Sequence, residues 1–259
     1  MNVGENNIMK DYLATVIENK EIANGICSIT FRLPEVPSVR CGQFGDIAVG
    51  GVHLLRRPIA ICKVDGTDVT YCYQVKGEGT QKLKTVGAGT QLNVLMPLGN
   101  GFYVEENEQK VALVGGGVGI FPLISVLRQY EGKKEISAFI GFRNAGAVCG
   151  LDEFSKANKF VGVTDDGSFG EKMNSVQAFA AALEQGYRPD VVLSCGPLPM
   201  LRALKKVAQE AGLKCYVSLE ERMGCGIGAC LVCVCNMTNG AHARVCKDGP
   251  VFDANDVEL

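Results

Sequence analysis

The stretch Val-Ala-Leu-Val-Gly-Gly-Gly-Val-Gly-Ile-Phe-Pro, residues 111–122, joins an unbroken apolar run to four glycines. A continuous apolar run is typical of a strand that a parallel sheet buries on both faces. A glycine-rich turn after such a strand presents backbone N–H groups, which suits the pyrophosphate of a dinucleotide. Gly115, Gly116, Gly117 and Gly119 are therefore candidate nucleotide-binding residues. A tight packing turn explains the same glycines, and the motif is not G-x-G-x-x-G.

The alternation of apolar runs and helix-like segments continues on the carboxyl side of this stretch. Gly186 and Gly212 follow two of these segments, as expected for helix ends. The pattern predicts a parallel α/β domain. Its strands are expected at 111–114, 136–142, 160–164, 191–195 and 214–219, and its helices at 121–130, 175–185 and 198–211.

Two further motifs fall at strand ends of this domain, where open α/β sheets bind their ligands. Cys195, Gly196 and Pro197 close one strand and are candidate nucleotide-binding residues, although a plain strand-to-helix turn explains them almost as well. Asp165 and Asp166 follow another strand. Adjacent carboxylates there would accept hydrogen bonds from a ribose and repel a 2′-phosphate, which predicts NADH over NADPH, but Asp-Asp-Gly is also ordinary turn chemistry.

The first hundred residues have a different periodicity. Apolar and polar residues alternate at 27–33 and again at 69–75, as in half-buried strands, and glycines and prolines interrupt the chain between the strands. This pattern predicts a small antiparallel β-barrel that ends at 97–101.

Two elements of the predicted barrel offer phosphate-binding chemistry. Arg56 and Arg57 precede an apolar strand, and guanidinium groups present a fork of donors that matches phosphate. The turn from Gly77 to Thr80 presents exposed amides and a hydroxyl. Either element alone is more often ordinary surface, so the two are informative mainly in combination.

Four cysteines near the C-terminus have the spacing of plant-type [2Fe-2S] ligands. Cys225, Cys230 and Cys233 form C-x4-C-x2-C, and Cys246 follows after twelve intervening residues. Each iron of a binuclear cluster binds two thiolates, and the intervening glycines allow a tight loop. A zinc site, disulfides or buried thiols are the alternatives, but four-cysteine zinc sites usually show two C-x2-C pairs. Cys235 lies outside the spacing and is interpreted as a packed neighbour.

Composition excludes several classes of protein. The formal net charge is −2, with 26 basic and 28 acidic residues spread along 259 positions, which argues against nucleic-acid binding. The sequence contains no run of about eighteen apolar residues, so no membrane span is predicted. Residues 1–7 do not resemble a leader. We therefore expect a cytoplasmic protein with reduced thiols. His53 and His242 support no general-base role.

Together these motifs resemble the ferredoxin-reductase-type flavoproteins over the whole chain. In that family an Arg-x-aromatic-Ser/Thr strand and a Gly-x-Gly-Thr/Ser turn hold the flavin, while Gly-Gly-Gly-x-Gly-x-x-Pro and Cys-Gly-Pro hold the nicotinamide nucleotide. Within the family the chain most resembles the electron-transfer subunits of class 1B dihydroorotate dehydrogenases. The residues that carry this resemblance are 56–59, 97–102, 194–197, 218–230 and 248–252.

The resemblance implies three domains and their cofactors: a β-barrel for FAD at 1–103, an α/β domain for NAD(H) at 104–217 and a [2Fe-2S] domain at 218–259. Ala60 departs from the family pattern, because relatives usually carry a Ser or Thr there whose hydroxyl faces flavin N5. The loss of that hydrogen bond is expected to alter the flavin's potential, unless a backbone amide or a water molecule replaces the hydroxyl. The residues implied to contact FAD are Arg57, Pro58, Ile59, Ala60, Cys72, Tyr73, Gln74, Gly79 and Thr80.

The implied function is electron transfer between NAD(H), FAD, the cluster and the FMN of a separate dihydroorotate dehydrogenase catalytic subunit, in a heterotetramer that serves pyrimidine synthesis. Two alternatives stay open at this point. A related subunit could serve a ferredoxin-NADP reductase or sulfite reductase complex, or the chain could be a sensor that binds flavin or nucleotide without catalysis. A cluster argues against a sensor, which needs no exit path for electrons.

Overall fold

The computed structural model describes residues 8–259, so the expectation that residues 1–7 are not a leader lies outside the described residues. The first strands are β1 Lys10–Ala23, β2 Ile26–Arg32, β3 Phe44–Ile47, β4 Arg57–Asp65, β5 Asp68–Gln74 and β6 Gln91–Leu98. They close into an antiparallel barrel in the order β1-β2-β5-β4-β3-β6, which confirms the predicted architecture. The helix α1, Glu78–Lys84, lies between β5 and β6 in the chain.

The barrel strand β5 is buried on both faces. Its residues Val69, Tyr71 and Tyr73 point into the barrel core, as their alternation predicts. Cys72 points the other way and packs with Phe121 of the α/β domain in a second apolar cluster. The outer side of the barrel at β5 is therefore covered by the next domain, and the flavin and nucleotide candidates come together at that boundary.

The second part of the chain is a six-stranded sheet with helices on its faces. Its strands are β7 Lys110–Gly116, β8 Glu135–Phe142, β9 Lys159–Thr164, β10 Val191–Cys195, β11 Lys214–Ser218 and β14 Val251–Asp253. Their order in the sheet is β14-β11-β10-β7-β8-β9, and the five neighbouring strands from β11 to β9 run parallel. The helices are α2 Ile120–Tyr130, α3 Leu151–Phe154, α4 Ser175–Glu184 and α5 Leu198–Glu210. These elements match the predicted α/β pattern to within two residues at most boundaries.

The C-terminal segment leaves this sheet and returns to it. After β11 the chain forms the cysteine loop, which carries Cys225, Cys230 and Cys233. A hairpin of β12, Val234–Asn236, and β13, His242–Arg244, follows it. The last strand β14, Val251–Asp253, pairs antiparallel with β11 at the sheet edge, which the sequence did not indicate. Asn100, just after β6, donates to the carbonyl of Val251 at 2.8 Å. The cysteine loop is thereby anchored to both other parts, while the three domain limits remain a prediction.

Within residues 8–259, none of the helices combines the length and the apolar character that a membrane span requires.

Candidate functional site

A cavity of about 910 Å³ lies where the barrel, the α/β sheet and the segment after β11 meet. This volume is within the range of small-molecule and cofactor sites. All nine residues predicted to contact FAD line it. The other walls come from the turn after β7, the end of β10 and residues 218–223. Its further lining includes Gly42, Phe44, Lys76, Gly77, Glu78, Val118, Phe121, Pro122, Cys195 and Pro250.

Arg57 is packed directly beneath the turn that begins α1. A Cβ atom placed on Gly79 would lie closer than 3.0 Å to three atoms of the Arg57 guanidinium group, so only glycine leaves room for it. The Nη1 atom of Arg57 donates to the carbonyl of Leu55 at 2.6 Å. The two predicted phosphate-binding elements are thus one structure, because the turn is built over the guanidinium.

The neighbouring arginine has a different role. Arg56 forms a two-pronged ion pair with Asp11, at 2.9 and 2.7 Å. Arg57 makes no ion pair with any described residue. Of the two guanidinium groups, Arg57 is the one that lines the cavity and keeps donors for a phosphate.

The Thr80 hydroxyl is used within its own turn. It accepts hydrogen bonds from the N–H groups of Lys76 and Gly77, at 2.9 and 3.1 Å, and donates to the Gly77 carbonyl. Thr80 therefore sets the shape of the turn over Arg57, and its side chain has few bonds left for a ligand.

The strand segment from Pro58 to Ala60 and the β5 segment from Cys72 to Gln74 form one wall of the cavity. Phe44 lies opposite Ala60 in the β3–β4 register and adds an aromatic side chain to the same wall. Ala60 presents a methyl group to the cavity where a hydroxyl was expected from the resemblance. Most of the side chains in this wall are apolar, which suits the face of a flavin ring.

The two nucleotide turns contact each other at the carboxyl edge of the sheet. A Cβ on Gly119 would lie 2.5 Å from the carbonyl carbon of Cys195, so the glycine allows the turns to meet. Gly115, Gly116, Gly117 and Gly119 do not themselves line the cavity, whereas their neighbours Val118, Phe121 and Pro122 do. Gly196 and Pro197 line an adjoining cavity of about 550 Å³. Burial, and then the nearby Glu220 carboxylate, raise the pKa of the Cys195 thiol far above its usual range, so Cys195 stays protonated.

The two aspartates after β9, Asp165 and Asp166, differ in their hydrogen bonds. The Asp166 carboxylate accepts hydrogen bonds from the N–H and hydroxyl of Ser168, at 2.9 and 2.6 Å. The carboxylate of Asp165 accepts no hydrogen bond from the described residues and is exposed. Asp166 is exposed as well and uses only its Oδ1 atom in these two bonds, so Asp165 is the less engaged of the two carboxylates rather than the only one available to a ribose.

The four candidate cluster ligands form two pairs. The Cys225 sulfur accepts hydrogen bonds from the N–H groups of Ala229 and Cys230, at 3.3 and 3.4 Å, and its thiol also contacts that of Cys230. The sulfur of Cys233 accepts from the N–H of Cys246 at 3.4 Å, and these two thiols are also in contact. The loop that brings the pairs together has left-handed backbone at Gly226 and Gly228.

This arrangement matches the ligand set of a binuclear iron centre. All twelve cysteines lie within residues 8–259 and are free thiols, so the disulfide alternative has no support in the structure. A binuclear cluster requires only two thiolates per iron, which matches the two pairs.

Backbone amides also favour the thiolate form at the front of the loop. Burial raises the pKa of Cys225, but the N–H groups of Ile227, Cys230 and Ala229 outweigh it and lower the pKa to about 6. Hydrogen bonds from amides to cluster-ligating sulfur are the usual support for such a site. Cys235 is buried beside the loop, where it packs in the apolar core as predicted.

Sequence reasoning did not select several residues that line the cavity. Ser218 and the segment 219–223 cross it on the way to the cysteine loop. Their position at and just after the end of the predicted strand 214–219 was the available signal, since strand ends face the ligand crevice. Phe121 lies within the glycine-rich stretch 111–122, whereas Phe44 had no such signal, because a buried aromatic residue looks the same in any core.

Comparison with solved structures identifies the class of fold. An NADH-dependent reduced ferredoxin-NADP oxidoreductase superposes with a TM-score of 0.83 at 24% identity, over 95% of this chain and 90% of the other. The cytochrome b5 reductase domain of Ulva prolifera nitrate reductase superposes with a TM-score of 0.66 at 16% identity, over 79% of this chain and 94% of that domain. The chain has the fold of the ferredoxin-NADP reductase-type flavoproteins.

Comparison of sequences then identifies the family. Residues 220–258 match the model of the iron-sulfur cluster binding domain of dihydroorotate dehydrogenase B. The dihydroorotate dehydrogenase B (NAD(+)) electron transfer subunit of Bacillus cereus strain G9842 is 40% identical over 258 residues, which is 94% of this chain and 97% of the relative. The subunit of the same description from Bacillus anthracis strain CDC 684 is 40% identical over 256 residues. The chain belongs to the family of dihydroorotate dehydrogenase B electron transfer subunits.

Proposed function

We propose that this chain is the electron transfer subunit of a dihydroorotate dehydrogenase B and links NAD(H), FAD and a [2Fe-2S] cluster to a catalytic partner subunit. When bound in the cavity, FAD would exchange a hydride with the nicotinamide and single electrons with the cluster. The partner would carry FMN and oxidise dihydroorotate for pyrimidine synthesis, in a cytoplasmic heterotetramer. Net flow would then run from dihydroorotate to NAD⁺.

The observation that carries this proposal is that one cavity touches all three functional parts. Barrel residues line one wall, the nucleotide turns line another, and residues 218–223 line a third and continue into the cysteine loop at Gly224. A group bound there would contact a nucleotide on one side and lie beside the cluster loop on the other. Neither a simple nucleotide sensor nor a separate zinc domain accounts for that continuity.

Each cofactor has chain residues that would hold it. Arg57 would bind a phosphate of FAD beneath Gly79, and the strand wall around Ala60 would hold its ring. The nucleotide turns at Gly119 and Cys195 would bind NAD(H). The cluster would be held by Cys225, Cys230, Cys233 and Cys246.

The cysteine loop also supplies a surface on which a partner could dock. Ile227, Leu231 and Val232 are exposed apolar side chains next to the ligands, and Cys230 is the exposed ligand. Exposed apolar groups in one short loop are typical of an interaction surface. Docking there would bring the partner's redox group close to the cluster and exclude water from it.

The proposal is tested by reconstituting the chain with a dihydroorotate dehydrogenase B catalytic subunit. We expect dihydroorotate-dependent reduction of NAD⁺ only when both chains are present, with the Cys230→Ser chain inactive. The chain alone should reduce an artificial dye with NADH. Dye reduction without any productive complex would assign the chain to another reductase system, and the absence of dye reduction from the cofactor-loaded chain would favour a sensor.

A further inference from the structure

Asp46 on β3 is a buried acidic side chain that lies outside the proposed cofactor contacts. It is 2% exposed, and its Oδ1 atom has no hydrogen-bond partner among the described residues. Only one other buried side-chain oxygen in residues 8–259, the Tyr187 hydroxyl, shares that condition. An unpaired buried carboxylate is costly, so its place in the fold is informative.

Asp46 lies between the proposed flavin strand and the cysteine loop. In the barrel, β3 pairs with β4, and Asp46 lies opposite Pro58 on the strand that lines the cavity. On its other side, a Cβ on Gly226 would lie 2.9 Å from Asp46 Oδ2, so the carboxylate packs against the residue that follows Cys225. Gly226 has a left-handed backbone, with φ of 68°, and provides the space that the carboxylate occupies.

The nearby cations do not pair with this carboxylate. Arg56 donates to the backbone carbonyl of Asp46, at 3.3 Å, and directs its two-pronged bond to Asp11. Arg57 donates to backbone carbonyls and, under the proposed function, to a phosphate of FAD. Both guanidinium groups therefore act on Asp46 only from a distance, and its negative charge stays uncompensated by any hydrogen bond.

We propose that Asp46 sets the redox potential of the cluster by holding a buried negative charge against the cysteine loop. Reduction adds an electron to the cluster, and a fixed negative charge nearby opposes that addition, so the potential is lowered. This inference rests on the proposed function, because it requires a cluster in the loop. Asp46 acts without touching the ligands' sulfur atoms and is not a catalytic residue.

The carboxyl group is charged at the pH of a normal assay. Burial raises the pKa of Asp46 to about 6, against the opposing effect of Arg56 and Arg57. At pH 8, about two pH units above that pKa, the ionised form of the carboxyl group predominates.

The test is a potentiometric titration of the cluster in the purified holoprotein at pH 8, for wild type and Asp46→Asn. We expect a more positive potential in the variant, with about a tenfold higher ratio of reduced to oxidised cluster at a fixed applied potential, or about 59 mV for a one-electron couple. Iron, sulfide and FAD contents should equal those of wild type. Asp46→Glu, which retains the charge, should restore most of the wild-type potential.

The matched control is Asp68→Asn, which removes the same charge from a carboxylate paired with Arg32 at the far end of the barrel. An unchanged potential in Asp46→Asn, or an equal shift in Asp68→Asn, would overturn the inference. If Asp46→Asn fails to retain the cluster, Asp46→Ser is measured in the same way. Loss of the cluster from both neutral variants with FAD retained would make Asp46 a loop-stabilising residue, which also overturns it. A wild-type protein without a cluster would instead refute the proposed function itself.

Discussion

Replacing Gly79 by alanine tests the flavin site at its most tightly constrained position. The new methyl group would overlap the Arg57 guanidinium, which must move before normal contact distances are restored. Since the guanidinium is the far end of a flexible side chain, the fold itself should lose little stability. The position of its donors under the turn would nevertheless change.

The expected loss follows from the bonds that Arg57 would make. Hydrogen bonds to charged groups contribute about 1.5–3 kcal/mol each. Displacement of one such bond would weaken FAD binding by roughly 10- to 150-fold, since about 1.4 kcal/mol corresponds to a factor of ten. The dissociation constant is measured by quenching of flavin fluorescence when FAD is added to the flavin-free protein.

The control is Gly87→Ala, just after α1 and outside the cavity lining. A Cβ at Gly87 meets nothing within 4 Å, and its φ angle lies outside the left-handed region. Gly87→Ala should therefore bind FAD within about twofold of wild type. If Gly79→Ala and Arg57→Ala both bind FAD as wild type does, Arg57 holds no phosphate and the reasoning fails.

Three further predictions concern the cluster, the nucleotide and the flavin. Cys230→Ser should abolish the cluster's visible absorption and acid-labile sulfide while FAD stays bound. Cys235→Ser should retain both the cluster and FAD. Stoichiometric zinc without sulfide in the wild-type protein would contradict the assignment of a cluster. NADH should be preferred to NADPH, and Asp165→Asn should reduce the ratio of their kcat/KM values; an unchanged ratio would remove Asp165 from nucleotide selection. Ala60→Ser adds a hydroxyl to the cavity wall and should shift the flavin potential, measured by spectroelectrochemistry; a potential equal to that of wild type would show that the hydroxyl does not reach the flavin.

Sequence and structure agree best in the individual strands and helices. Alternation at 69–75 and the continuous run at 111–114 were enough to predict a barrel strand and a parallel-sheet strand, because burial on one or two faces determines each pattern. The cysteine spacing likewise predicted that the four thiols belong to one site, since ligands five, three and thirteen positions apart can reach one compact site only through a tight loop, whereas the structure showed which thiols pair. Family membership confirmed the class of protein that these motifs indicated.

Other features depend on contacts between residues far apart in the chain, and no local pattern reports them. The strand 251–253 joins the sheet only because the chain returns past the barrel, where Asn100 binds it. The two arginines are adjacent and chemically alike, yet Asp11 takes one and leaves the other to the cavity. Asp46 reads as an ordinary strand residue, and its burial against Gly226 arises from the packing of three separate parts of the chain. The sequence alone thus determined the strands and helices and the chemistry of the ligands that they could bind. The tertiary structure decided which charges are paired, because pairing depends on distances that only the assembled fold defines.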